Sequence, residues 1–341
     1  MYQPESYAVA LAFMIVTMLC WGSWANTLKL APGYRFQLFY WDYVVGLFAG
    51  ALLWGLTLGS VGSSGTSFLS DISHADFHRV LLAITGGIIF NIANLLLVAA
   101  IDVAGLAVAF PVGIGIALIV GAVSSYALAP AGNPILLFSG VALVVAAILC
   151  DAAAYRAREA TKKATSGRGI LLSLVAGLLM GTFYPFVSKA MAPRTPFDDN
   201  LSAHIPGPYA VSFLFTCGVA LCAIPFNYLL MRKPLDGKAP VTMTGYFQAK
   251  PAWHLWGIVG GIIWSTGATL NFVASRTTVV GPAVSYSIGQ GATMISAAWG
   301  VFIWREFASA PPLAKRLLFW MFVLFLLGLT TIAIAPLYGA Q

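Results

Sequence analysis

Residues 255–307 read LWGIVGGIIWSTGATLNFVASRTTVVGPAVSYSIGQGATMISAAWGVFIWREF. Two apolar segments meet at Arg276, and an indole and two amides (Trp264, Asn271, Gln290) lie within them. The first half of the chain holds a fainter copy at 83–126. There Gly86-Gly87-Ile88-Ile89-Phe90 echoes Gly260-Gly261-Ile262-Ile263-Trp264, and Gly113 and Gly115 echo Gly289 and Gly291. Copies this far apart in an apolar chain point to a duplicated membrane protein, a common way to build a transporter.

The composition supports that reading. The 341 residues are 60% hydrophobic and only 9% charged, with a mean hydropathy of +0.87. A soluble domain of this length needs a charged surface that these residues cannot supply. A spanning helix takes roughly 20 apolar residues. Ten such segments are expected, at 7–28, 40–60, 80–100, 105–128, 134–154, 170–190, 207–230, 254–275, 279–304 and 317–336. The start MYQPESYAV lacks the positive region of a signal peptide, so the first segment is read as a retained helix. Cys20, Cys150, Cys217 and Cys222 fall in apolar segments without metal spacing and read as small buried hydrophobes.

The net charge of +7 is a matter of topology rather than of nucleic-acid binding. Arg156, Arg158, Lys162, Lys163 and Arg168 sit in the connection 155–169, and Arg232, Lys233, Lys238 and Lys250 in 231–253. Arg305, Lys315 and Arg316 follow the ninth segment, and Lys29 and Arg35 the first. All fall on one side of a ten-segment path. The positive-inside rule makes that side cytoplasmic and both termini external. With an odd number of helices per half, 1–154 and 170–341 become inverted five-helix repeats joined by a basic cytoplasmic linker, 155–169.

Polar residues within the spans are the candidate site. Segment 1 ends CWGSWANTLKLAP and segment 6 ends LMGTFYPFVSKAMAP. Gly22 and Gly181 suit close helix packing, while Trp21, Trp24, Asn26 and Tyr184 offer rings and polar edges to a planar ligand. Asn91 and Asn94, three apart, share one helical face and must bond another helix or a ligand. Trp264, Asn271, Tyr286 and Gln290 complete the set; Ser285 and Thr293 make the ninth segment polar along one side. Asp42 at the entry of segment 2 needs a partner, and Lys29 or Arg35 is expected to supply it. Lys29, Asp42 and Glu306 are the coupling or gate candidates. His74 and His78, four apart in a Gly/Ser-rich connection, lack a third ligand and read as solvated. Segments 5 and 10 look featureless, a scaffold or a homodimer surface.

Catalytic chemistry is missing. No nucleophile–base pair, metal box, close carboxylate pair or GxxxxGK[ST] loop is present, so neither an enzyme nor ATP-driven transport is expected, and no cofactor. A lining rich in hydrogen bonds and poor in charge suits a small neutral polar ligand. It disfavours an exporter of hydrophobic cations, which wants a mid-membrane carboxylate; a receptor that binds without flux is the non-transporting alternative.

Specific stretches narrow the class. GGIIFNIANLLLVAAIDVAGLAVAF (86–110), GYFQAK (245–250), SIGQGATMISAAWGVFIWREF (287–307), the Gly-aromatic end of segment 1 and Asp42-Tyr43 resemble the ureide permease family of the drug/metabolite transporter superfamily. GIGIALIVG (113–121) is more weakly similar to glucose/ribose and rhamnose porters. Plant ureide permeases carry a longer central loop with a phosphate-loop-like sequence, so the short basic 155–169 resembles a compact, bacterial form. The resemblance implies a multi-pass protein of the plasma membrane (the bacterial inner membrane) that imports ureides or oxo-nucleobases such as allantoin or uracil, with protons or, as the alternative ion, sodium. A sugar porter is the runner-up. Substrate is expected near midplane between helices 1, 3, 4 and 6, 8, 9.

Overall fold

A computed structural model describes residues 1–62, 64–158, 167–193, 204–235, 238–277 and 280–338. Among them the regular elements are helical. In chain order they are α1 (Tyr7–Ser23), α2 (Asn26–Lys29), α3 (Phe36–Leu56), α4 (Phe68–His74), α5 (Phe77–Ala104), α6 (Leu106–Leu128) and α7 (Pro134–Arg158). The second half gives α8 (Gly167–Met191), α9 (Pro208–Arg232), α10 (Met243–Phe247), α11 (Pro251–Ser275), α12 (Gly281–Gly289), α13 (Ala292–Ala298), a π turn (Trp299–Ile303) and α14 (Pro312–Ile334), which ends in the 3-10 turn Ala335–Tyr338. Among the described residues nine helices are long and apolar enough to cross a membrane. The chain is a multi-pass membrane protein.

Local chemistry sets the boundaries. Ser6 caps α1 by accepting from the Val9 amide, and Asp76 caps α5 by accepting from Arg79. Proline opens α9, α11 and α14, where its missing N–H costs nothing. Gly105 at φ +82 is the single residue between α5 and α6.

The segment expected as one helix over 279–304 is instead interrupted. α12 stops at Gly289, and the amide of Gln290 bonds back to the Tyr286 and Ser287 carbonyls, the pattern of a closing turn. α13 and the π turn then resume the path. Helix 1 likewise breaks at Trp24-Ala25 before α2. The connection 61–79 holds α4, with His74 inside it. Of the linker 155–169, residues 155–158 and 167–169 are helical and 159–166 lie outside the described residues.

Glycine permits the closest helix pairs. A Cβ at Gly46 would stand 2.1 Å from the Ile258 carbonyl, and one at Gly261 2.1 Å from that of Tyr43. So α3 and α11 touch backbone to backbone along Gly46/Gly50 and Gly257/Gly261, the small-xxx-small arrangement that hydrocarbon favours. Gly87 and Gly218 do the same for α5 and α9, Gly177 and Gly181 for α8 against α6, and Gly140 and Gly328 for α7 and α14. The other neighbours are α1 with α11, α12 and α13, α5 with α8, α3 with α9, and α6 with α7 and α12.

A methyl group at Gly261 has only backbone to displace, so Gly261→Ala is expected to cost about 1–3 kcal/mol. Gly115→Ala, with nothing within 4 Å, should be neutral or slightly stabilising. Thermal midpoints of the two variants in detergent check this contrast.

Candidate functional site

A cavity of about 340 Å³ lies between two walls. One wall is α1, α11 and the α12–α13 break (Trp21, Trp24, Trp264, Gln290, Thr293, Ser296); the other is α5, α6 and α8 (Phe90, Asn94, Ile101, Phe110, Phe183). Lining residues pass from buried (Phe90, Phe183, Trp264) to exposed (Ala25, Ser296). The cavity therefore opens at the end of the bundle that carries Lys29, Asp42 and Glu306.

Its floor is aromatic. The rings of Trp21 and Trp264 lie 5.6 Å apart at 19°, and Trp264 also packs on Phe90 at 4.4 Å and Phe215 at 6.0 Å. Gly267 and Gly289 leave the room that the Trp21 indole fills. Few polar groups face this floor. Asn94 donates to the Tyr40 hydroxyl at 3.3 Å, leaving its carbonyl oxygen without a partner among the described residues. The Gln290 amide lines the cavity and makes no side-chain hydrogen bond among them either. It arrives there because the helix breaks at that residue. Thr293 and Ser296, one turn further on, add hydroxyls.

Five of the expected site residues (Trp21, Trp24, Asn94, Trp264 and Gln290) thus share one cavity. The other five lie outside its lining. Tyr184 donates to Asn271 Oδ1 at 2.5 Å, while Asn271 donates to the Ser285 carbonyl at 2.9 Å. Tyr286 donates to the Ala117 carbonyl at 3.0 Å. These buried bonds stitch α8 to α11 and α12 to α6. Asn91 accepts from Tyr40 at 2.8 Å, between helices. Asn26 turns away: its carbonyl accepts from Trp304 Nε1 at 2.6 Å and its amide caps the end of α1.

Charged groups gather at the mouth end. Glu306 holds Lys29 at 2.6 Å and Arg158 at 3.1 Å, and the Trp304 ring lies 5.0 Å under the Lys29 ammonium. Arg305, at φ +52, is the one non-glycine residue with positive φ among the described residues and turns the chain so that the Glu306 amide reaches the Gly300 carbonyl at 2.9 Å. Asp42 is not paired with Lys29 or Arg35 as expected. It accepts from Tyr34 at 2.9 Å, Tyr246 at 2.6 Å and His254 Nδ1 at 3.0 Å. The basic residues find other acceptors, Glu306 for Lys29 and the Ala239 carbonyl for Arg35. Burial and the bond to Asp42 push both tyrosine hydroxyls up, so they stay donors.

Sequence reasoning passed over Tyr34, Tyr246, His254 and Asp151. Asp151 shows that segment 5 is not featureless: it is a buried acid in an otherwise uncharged run. Tyr246 stood inside the quoted GYFQAK stretch, and His254 at an apolar boundary, so both carried a signal. Among the described residues no group of three or more His, Cys, Asp and Glu side chains is placed to hold a metal ion.

Burial pushes the Glu306 carboxyl up, but Lys29 and Arg158 outweigh it and hold it below the ordinary glutamate range. A depressed carboxyl stabilises the fold at pH values above its unfolded pKa, and that gain is lost as pH falls through the folded one. Thermal stability should therefore drop on acidification below the usual glutamate range, and Glu306→Gln should flatten that limb while lowering stability near neutrality. Melting curves across pH decide it.

A family model described as ureide permease matches residues 39–168. "Ureide permease 1" of Arabidopsis thaliana is 22% identical over 97% of this chain and 98% of its own. "Ureide permease 2" of the same plant is 22% identical over 96% of each. "Probable ureide permease A3" of Vigna unguiculata is 29% identical over 42% of this chain and 40% of its own. A solved chain, titled "Crystal structure of protein", is 15% identical and superposes with a TM-score of 0.62 over 96% of each chain, a likeness of fold alone. Over nearly its whole length, then, the chain is similar to proteins named ureide permeases.

Proposed function

We propose that the chain imports a small, neutral, planar, amide-rich metabolite, a ureide or an oxo-nucleobase such as allantoin or uracil, by proton-coupled alternating access. The cavity carries the reading. Stacked indoles suit a flat ring, and the open groups of Asn94 and Gln290 complement amide edges. No charged side chain lines it. The relatives' printed names point to the same substrate class.

Two inverted five-helix halves, 1–154 and 170–341, would carry the motion, with 155–169 as linker and α12–α13–π turn as the tenth crossing. Exchange of the halves maps helix pairs onto each other: α1–α11 onto α8–α5, α3–α11 onto α9–α5, and α1–α13 onto α8–α6, while α7–α14 and α3–α9 map onto themselves. That symmetry supports the duplication. With the basic connections cytoplasmic, the termini lie outside and the cavity opens inward, closed outward by Tyr184–Asn271 and Tyr286. Asp42 with His254 ties α3, α10 and α11 at the inner end. Lys29, Glu306 and Arg158 form an inner ion cluster; a homodimer would use helices 5 and 10.

Uptake of labelled allantoin and uracil into proteoliposomes, with hexoses as competitors, tests the substrate class. Competition by hexoses alone would replace this reading with the sugar porter. Trp264→Ala is expected to lose about 1 kcal/mol of stacking, weakening apparent affinity about fivefold.

A further inference from the structure

Two carboxyls inside the spans differ sharply in their surroundings. Asp42 has three donors. Asp151, on α7, is 6% exposed, and its Oδ1 is buried without a hydrogen-bond partner. No ion pair or hydrogen bond reaches its other oxygen among the described residues. An ionised carboxylate in that setting is costly, and intramembrane acids that persist serve proton or ion pathways. The neutral acid is the form this pocket accommodates.

Its neighbours couple it to the ion cluster at the bundle's end. Tyr155 lies one turn on along α7 and Arg158 nearly two turns on, so the three share a face. Tyr155 donates to Glu306 Oε2 at 3.5 Å and Arg158 bonds the same oxygen at 3.1 Å. Elsewhere on α7 the ionisable groups at this end are Cys150 and Arg156. The elements packed on α7 are poor in them. α14 contributes Lys315, bonded to the Ala308 carbonyl, and Arg316, both in its first turn. α6 has only Tyr126 and the 3-10 turn only Tyr338, each at the far end. The segment after the π turn contributes Glu306 and Arg305. Among the basic residues of α7, Arg158 is the one on the face of Asp151, and it is engaged by Glu306.

We propose that Asp151 is the proton-binding site of this carrier and that Asp151 and Glu306 compete for Arg158. In the conformation described here Asp151 is the neutral acid and Arg158 rests on Glu306. When α7 and the Glu306 segment separate, the guanidinium is freed. Helical side chains lean toward the helix N-terminus, which carries it back toward position 151. The acid O–H bond then breaks, the proton leaves to water at the Lys29 end, and the carboxylate takes Arg158 as counter-ion. Lys29 stays with Glu306, one proton is released, and the cluster's net charge falls by one.

The inference rests on the proton-coupled reading above, and its test separates the two. Wild type and Asp151→Asn are compared in proteoliposomes for accumulation of labelled uracil or allantoin under an imposed pH gradient, and for exchange without one. In parallel, the infrared carbonyl stretch of a protonated carboxyl is recorded on both proteins. Asp151→Asn should lose gradient-driven accumulation, keep exchange, and lack a carboxyl band that wild type shows. Wild-type-like accumulation in Asp151→Asn, or identical carboxyl bands, overturns the assignment. If wild type is itself insensitive to the gradient, proton coupling fails, while the infrared comparison still decides whether Asp151 holds a proton. Should Asp151→Asn not fold, Asp151→Glu replaces it: a shifted band supports the site and an unmoved one overturns it.

Discussion

In hydrocarbon, helices gain nothing by hiding apolar faces from one another, so the bundle depends on how closely backbones approach. Here that approach is made by glycine. Gly46 and Gly261 let α3 and α11 meet carbonyl to Cα, and Gly87 and Gly218 do so for α5 and α9. The cavity occupies a seam, with α1 and α11 on one side and α5 and α8 on the other.

The second constraint is that a polar group in this medium must find a partner or face a cavity. Tyr184, Asn271 and Tyr286 find partners and become joints. Asn94 and Gln290 keep free valences where the seam widens. The same residue types therefore divide by location, and amides that looked alike in sequence serve as rivets in one place and as open groups in another.

The spans were legible because length and apolarity alone mark a crossing. Five of the ten candidate binding residues could be placed in one cavity, since indoles and amides inside spans have few uses. The rest was hidden for physical reasons. The break at Gln290 sits between two glycines, and glycine in a membrane helix signals packing as readily as interruption. Asp42 had basic residues near it in sequence, but side of membrane does not specify contact, and its partners come from Tyr34 and from residues 246 and 254. Asp151 vanished into the average of a strongly apolar run.

The interruption between α12 and α13 has a mechanical meaning. A continuous helix transmits torque along its length. One cut at Gln290 separates the half that bonds α6 through Tyr286 from the half that bears Thr293, Ser296 and, beyond the π turn, Glu306. The residue at the break, Gln290, itself faces the cavity, so an occupant of the cavity would touch the point where the two halves of the helix meet.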